Sequence, residues 1–83
     1  MFKVKLTARA KREIKAISKR HKELIGVVFE ELKENPNLGK PLSRKLVNKF
    51  SLRVGTYRVI YKINKKDKIV TIITAGHRSN VYQ

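Results

Sequence analysis

The chain opens on an alternation in which Phe2, Val4 and Leu6 are apolar and Lys3 and Lys5 are cationic. A period of two is that of a half-buried strand, so residues 1–6 are predicted as the first strand. At Thr7 the period changes. Ala10, Ile14 and Ile17 recur three to four residues apart while Arg9, Lys11, Arg12, Glu13 and Lys15 fill the other positions, which predicts a short amphipathic helix with Thr7 as its N-cap. After a polar break over 18–22, Leu24, Ile25, Val28, Phe29 and Leu32 form a second helical stripe. That helix must stop before Pro36, because the residue preceding a proline is pushed out of the helical region. Residues 35–41 read as loop.

From Leu46 onward the period of two returns. Phe50, Leu52 and Val54 alternate with Ser51 and Arg53, Gly55 permits a tight reversal, and a second strand runs from Tyr57 to Ile63. A polar tip over 64–68 leads into the run 69–75, apolar on both faces and therefore suited to an interior position with the opening strand beside it. The predicted fold class is α+β, in the order β-α-α-β-β-β, with two N-terminal helices packed on one face of a four-stranded, mainly antiparallel sheet. Residues 1–83 are expected to form one domain, with no repeat, linker or low-complexity segment.

Charge adds a second layer to this pattern. Lys and Arg number 21 against 6 Asp and Glu, for a formal charge of +15. Residues 1–34 mix 10 basic with 5 acidic side chains, whereas 35–83 carry 11 basic residues and the single acid Asp67. A field of one sign at this density attracts polyanions, RNA and DNA foremost and an acidic protein next. Cysteine is absent, which removes disulfides, thiolate catalysis and Cys-ligated zinc, and fits a reducing compartment. With no apolar run near the roughly 18 residues a membrane span needs, and no signal-peptide pattern at the start, the expected location is the cytoplasm.

One acid among 49 residues leaves no paired-carboxylate catalysis and no carboxylate metal cage in the C-terminal half. His21 and His77 are too few and too far apart in sequence for a His-only metal site, so no metal and no cofactor is expected. The available residue types, Arg, Lys, Tyr and His, suit phosphoryl chemistry in which positioning and charge stabilisation do most of the work. RNA brings its own nucleophile, the 2′-OH. Arg53 and Arg58 flank the Gly55 reversal, and strand parity allows both to project from the sheet face that the helices leave uncovered. The run from Gly76 to Tyr82 condenses His77, Arg78 and Tyr82 at the end of the last long strand. The plainer alternatives are ordinary strand-surface arginines and a terminal Tyr that packs the chain end.

The run Leu52-Arg53-Val54-Gly55-Thr56-Tyr57-Arg58-Val59-Ile60-Tyr61, followed by Gly76-His77-Arg78 and Val81-Tyr82, resembles the RelE-type toxins of the RelE/ParE superfamily, over nearly the whole chain. The resemblance implies the toxin of a type II toxin–antitoxin system, a ribosome-dependent, metal-independent endoribonuclease that cuts mRNA in the ribosomal A site by 2′-OH attack. It further implies a cognate acidic, RelB-like antitoxin, with the small ribosomal subunit and mRNA as the other partners. By position, Arg58 and Arg78 match the family's catalytic arginines, Tyr82 its C-terminal tyrosine, and Lys49 one of two catalytic lysines. The second lysine falls on Ser51, a departure that leaves the general base open among Lys49, His77 and Tyr82. Arg53, Ser51, Arg44 and Lys45 are the expected RNA contacts. Two competing classes share these features in part: a ParE-like inhibitor of DNA gyrase, and a basic RNA-binding protein without catalysis.

Overall fold

The computed structural model describes residues 1–42 and 49–77. They form β1 (Lys3–Leu6), α1 (Ala8–Lys15), α2 (Lys19–Glu34), β2 (Lys40–Pro41), β3 (Lys49–Val54), β4 (Tyr57–Asn64) and β5 (Ile69–His77). Thr7 caps α1 as its sequence position predicts: its Oγ1 accepts from the Ala10 N–H at 3.1 Å and donates to the Ile73 carbonyl at 2.8 Å. The first turn of the helix is thereby tied to β5, and a cap of this kind is worth about 1 kcal/mol. α1 ends at Lys15, so Ile17 enters the core from the connecting turn rather than from the helix.

The sheet has five strands in the order β1-β5-β4-β3-β2, with β1 parallel to β5 and every other pairing antiparallel. The expected four strands are all present, and the fifth, β2, corrects the count. It holds Lys40 opposite Ser51 and Pro41 opposite Phe50 within the segment read as loop. Two residues have no period, so only their pairing partner reveals them as a strand.

Both helices cover one face. Ala10, Ile17, Ile25 and Leu32 meet Val54, Val59, Tyr61, Ile63, Val70, Ile72 and Ala75 in a single cluster, with Phe50, Leu52 and Tyr57 packed at its margin. Each large apolar side chain fully buried there contributes roughly 1.5–3 kcal/mol.

α1 has a second duty at the edge of the sheet. β1 pairs only with Ile69–Ile72, which leaves the rest of that β5 edge open. Glu13 reaches it from α1, its Oε1 accepting from Thr74 Oγ1 at 2.6 Å and from the Ala75 N–H at 3.2 Å. A carboxylate thus takes the place of a neighbouring strand for one backbone donor of β5. No helix among the described residues is long and apolar enough to cross a membrane.

Candidate functional site

The β3–β4 hairpin turns through Gly55-Thr56, with Val54 opposite Tyr57 and Gly55 at φ +61°. Glycine at the first central position is what a two-residue hairpin matched to the strand twist requires. This short connection fixes the register that matters for function, because it sets Arg53 directly opposite Arg58. Their Cβ atoms are then about 5 Å apart, a distance at which like charges in a sheet repel. Four pairs along, Lys49 stands opposite Lys62 in the same relation.

Period two places Lys49, Ser51, Arg53, Arg58, Ile60 and Lys62 on the face away from the helices. That face carries no carboxylate on these two strands. Arg58 is half-buried, with its Nε withdrawn from solvent, and Ser51 is buried, whereas Arg53 is exposed. On the other side of Arg58, β5 presents Gly76, so no side chain of that strand competes for the space beside the guanidinium.

A cleft of about 600 Å³ opens beside β2, where Ser51, Arg53 and Arg58 face the segment 38–42. Its far wall is built from Leu38, Gly39, Lys40, Pro41 and Leu42, apolar but for the Lys40 ammonium, and it is held in place from the core. The buried Tyr61 hydroxyl donates to the Pro36 carbonyl at 2.8 Å and accepts from the Gly39 N–H at 2.8 Å. A Cβ on Gly39 would stand 2.8 Å from both the Ser51 carbonyl oxygen and that hydroxyl, so only glycine lets the loop approach this closely. Phe50 stacks on the Tyr61 ring at 5.5 Å and fixes its direction. Burial pushes the Tyr61 phenol above the usual tyrosine range, partly offset by the Gly39 N–H, so at neutral pH the phenol keeps the proton it gives to Pro36.

His77 lies elsewhere. Its register partner is Tyr57, and the two rings meet edge to face at 5.8 Å, with the His21 ring of α2 tilted against Tyr57 at 4.9 Å. The structure therefore groups Lys49, Ser51, Arg53 and Arg58 on one face and sets His77 on the helix-bearing face at the same end of the sheet. Arg44, Lys45, Arg78 and Tyr82 lie outside the described residues. Among the described residues, no three His, Asp or Glu side chains are grouped as metal ligands would be. Tyr61, Gly39 and the 38–42 wall were not singled out from the sequence. The available signal was a tyrosine within an aliphatic strand, since a buried phenol needs a hydrogen-bond partner.

Taken together, these residues offer an anion two adjacent guanidiniums, a lysine and a hydroxyl beside an apolar wall. That suits a nucleotide, its phosphate on the arginines and its base against the wall.

Residues 4–82 match the family described as the ParE toxin of the type II toxin-antitoxin system parDE. The chain is 33% identical to Toxin RelG of Mycobacterium tuberculosis over 84 aligned positions, covering 99% of this chain and 97% of that protein. It is 36% identical to Toxin RelE of the same organism, covering 99% and 87%. Among solved structures, the RelBE2 toxin-antitoxin complex of M. tuberculosis superposes with a TM-score of 0.77 at 37% identity, covering 93% of this chain and 98% of that one. The isolated Escherichia coli RelE toxin shares the fold, with a TM-score of 0.83 at 21% identity over 99% of this chain and 92% of that one.

Proposed function

Because this chain belongs to the RelE/ParE superfamily of type II toxin–antitoxin toxins, as a RelE-type member, we propose that it is a metal-independent endoribonuclease that cleaves mRNA in the ribosomal A site. The observation that carries this reading is the Arg53–Arg58 pair, two like charges opposite each other beside a cleft on the sheet face away from the helices. Two guanidiniums on adjacent strands can engage the oxygens of one phosphate together.

In the proposed reaction the 2′-OH attacks the adjacent phosphorus, a P–O bond forms to that oxygen, and the bond to the 5′-oxygen breaks. The products are a 2′,3′-cyclic phosphate and a 5′-hydroxyl. The proton leaves the 2′-OH for a base, and another is supplied to the departing 5′-oxygen. Arg58, with Arg53 beside it, stabilises the charge that builds on the non-bridging oxygens, and Arg78 is assigned the same task from the C-terminal run. Of the candidates for the base, Lys49 shares the arginine face whereas His77 does not, and Tyr82 is assigned to stack on the substrate or assist proton transfer.

The toxin's partner is proposed to be an acidic, RelB-like antitoxin, in keeping with the RelBE assemblies of its structural relatives. Binding the native state of a +15 chain, such a partner would raise its stability. The matched family description, a ParE toxin, favours a second reading in which the chain inhibits DNA gyrase without cutting RNA.

A translating extract separates the two. Message cleavage that depends on ribosomes and falls about 100-fold or more in Arg58→Ala is the expected result, that being the usual effect of removing one charge-stabilising donor. Intact mRNA together with blocked supercoiling by purified gyrase would transfer the assignment to the second reading.

A further inference from the structure

α2 is the one long element whose surface charge and surface hydrophobicity both depart from the rest of the molecule. It carries four cations, Lys19, Arg20, Lys22 and Lys33, and four anions, Glu23, Glu30, Glu31 and Glu34, so its net charge is zero. The remainder of the chain holds the whole +15. The charges also run the wrong way for an isolated helix. Cations cluster at the N-terminal end and anions at the C-terminal end, with no acid in the first turn, whereas the helix dipole favours the reverse.

The same helix exposes Leu24 by 50% and Val27 by 57%. At 100° per residue, Arg20, Leu24, Val27 and Glu31 fall within about 60° of one another, along an exposed stripe away from the buried Ile25 and Leu32. Beside it a shallow groove of about 450 Å³ has Val27 and Leu38 as its apolar lining and Glu30, Glu31 and Glu34 as its rim. Neither Arg20 nor Glu31 makes an ion pair among the described residues, while Glu30 is paired within the helix to Lys33 at 2.5 Å.

We propose that this stripe is a self-association face, on which α2 packs antiparallel against α2 of a second copy about a two-fold axis. The stripe is its own complement. Its spacing of four, three and four residues reads the same in both directions, so reversal places Leu24 of each copy against Val27 of the other and Arg20 of each against Glu31 of the other. The two helix dipoles then oppose each other, and each misplaced set of charges meets its opposite. Two chains of this charge must also meet where local charge is lowest, and α2 is that place. The face with Arg53 and Arg58 is on the opposite side of the sheet, away from this contact.

A helix of 16 residues is about 24 Å long, so one helix-to-helix contact buries far less than the roughly 800 Å² per partner of a stable complex. The dimer is therefore weak, forming at tens of micromolar and above. This inference does not depend on the nuclease reading.

Sedimentation velocity of the purified full chain from about 5 to 500 µM, at salt that limits the Debye length to about 8 Å, tests it. The mass-average should rise from 9.7 kDa toward twice that value. Arg20→Glu or Glu31→Arg alone should weaken association about tenfold or more, and the double swap should restore it. Each single swap improves the match to the helix dipole, so its melting temperature should hold or rise, which separates lost association from lost fold. A chain that is monomeric at every concentration overturns the proposal, including the case in which the stripe is covered only by an acidic partner. Equal association of all four proteins places the contact elsewhere and also overturns it.

Discussion

On one side of β3 and β4, Phe50, Leu52, Val54, Tyr57, Val59 and Tyr61 meet the helix layer across an apolar core. On the other, Lys49, Ser51, Arg53, Arg58 and Lys62 stand without a carboxylate among them. Alternate positions of the same two strands thus serve two ends, and a shift of one residue in register would exchange them. The helix side is organised by burial and gives the molecule its stability. The other side sets Arg53 opposite Arg58 and Lys49 opposite Lys62, a charge pattern suited to a polyanion. Changes on the two sides should therefore produce opposite signatures, loss of fold in one case and loss of action in the other.

The largest separation is expected at Arg58. Arg58→Ala should reduce mRNA cleavage about 10²–10³-fold while the chain still folds and unfolds cooperatively, because the side chain lies on the face away from the apolar core. Assaying cleavage and thermal unfolding on the same preparation checks both halves, and a parallel loss of stability would show that the arginine serves the fold. The counterpart is Leu32, fully buried under α2. Leu32→Ala should cost about 2–5 kcal/mol of unfolding free energy in a denaturant titration, with RNA affinity unchanged once corrected for the folded fraction.

Where the two sides meet, effects should be smaller and mixed. Gly39→Ala forces a methyl to within 2.8 Å of the Ser51 carbonyl and the Tyr61 hydroxyl, so the cleft wall must shift. A loss of about 1–3 kcal/mol is expected, accompanied by weaker RNA binding, since the displaced segment lines the cleft. Tyr61→Phe keeps the stacked ring but leaves the Pro36 carbonyl and Gly39 N–H without their partner, at about 1–2 kcal/mol. The Tyr61 phenol is raised by burial, so its contribution is complete below the ordinary tyrosine value near 10 and declines as pH rises beyond it. The stability gap between the native chain and Tyr61→Phe should accordingly be flat through neutral pH and narrow in alkaline unfolding experiments. A gap that widens there would contradict the buried, proton-donating phenol.

The sequence made most of this arrangement legible because periodicity reports burial directly. The alternation at Phe2, Val4 and Leu6, the helical spacing of Ile25 and Leu32, and the parity of Arg53 and Arg58 all correspond to observed faces. What periodicity does not carry is pairing. The two-residue β2 has no pattern of its own, and the irregular step between Ile60 and Tyr61 changes which β5 residues they face without changing their own alternation. Pairing also sets the place of His77, which adjoins Arg78 in sequence but has Tyr57 of the helix side as its register partner. The cleft wall was hidden for a further reason: it depends on the Tyr61 hydroxyl reaching residues 22 and 25 positions away, Gly39 and Pro36. Arg44, Lys45, Arg78 and Tyr82 enter the site assignment through the family resemblance and the residue chemistry alone.

The central claim is that the arginine face stabilises a phosphodiester under attack by its own 2′-OH. The most direct measurement is the end chemistry of messages cut in a translating extract by the native chain and by Arg58→Ala. A 2′,3′-cyclic phosphate upstream and a 5′-hydroxyl downstream of each cut, present with ribosomes and lost with the arginine, is the predicted result. Cuts that leave a 3′-hydroxyl and 5′-phosphate, or cleavage undiminished in Arg58→Ala, would contradict it.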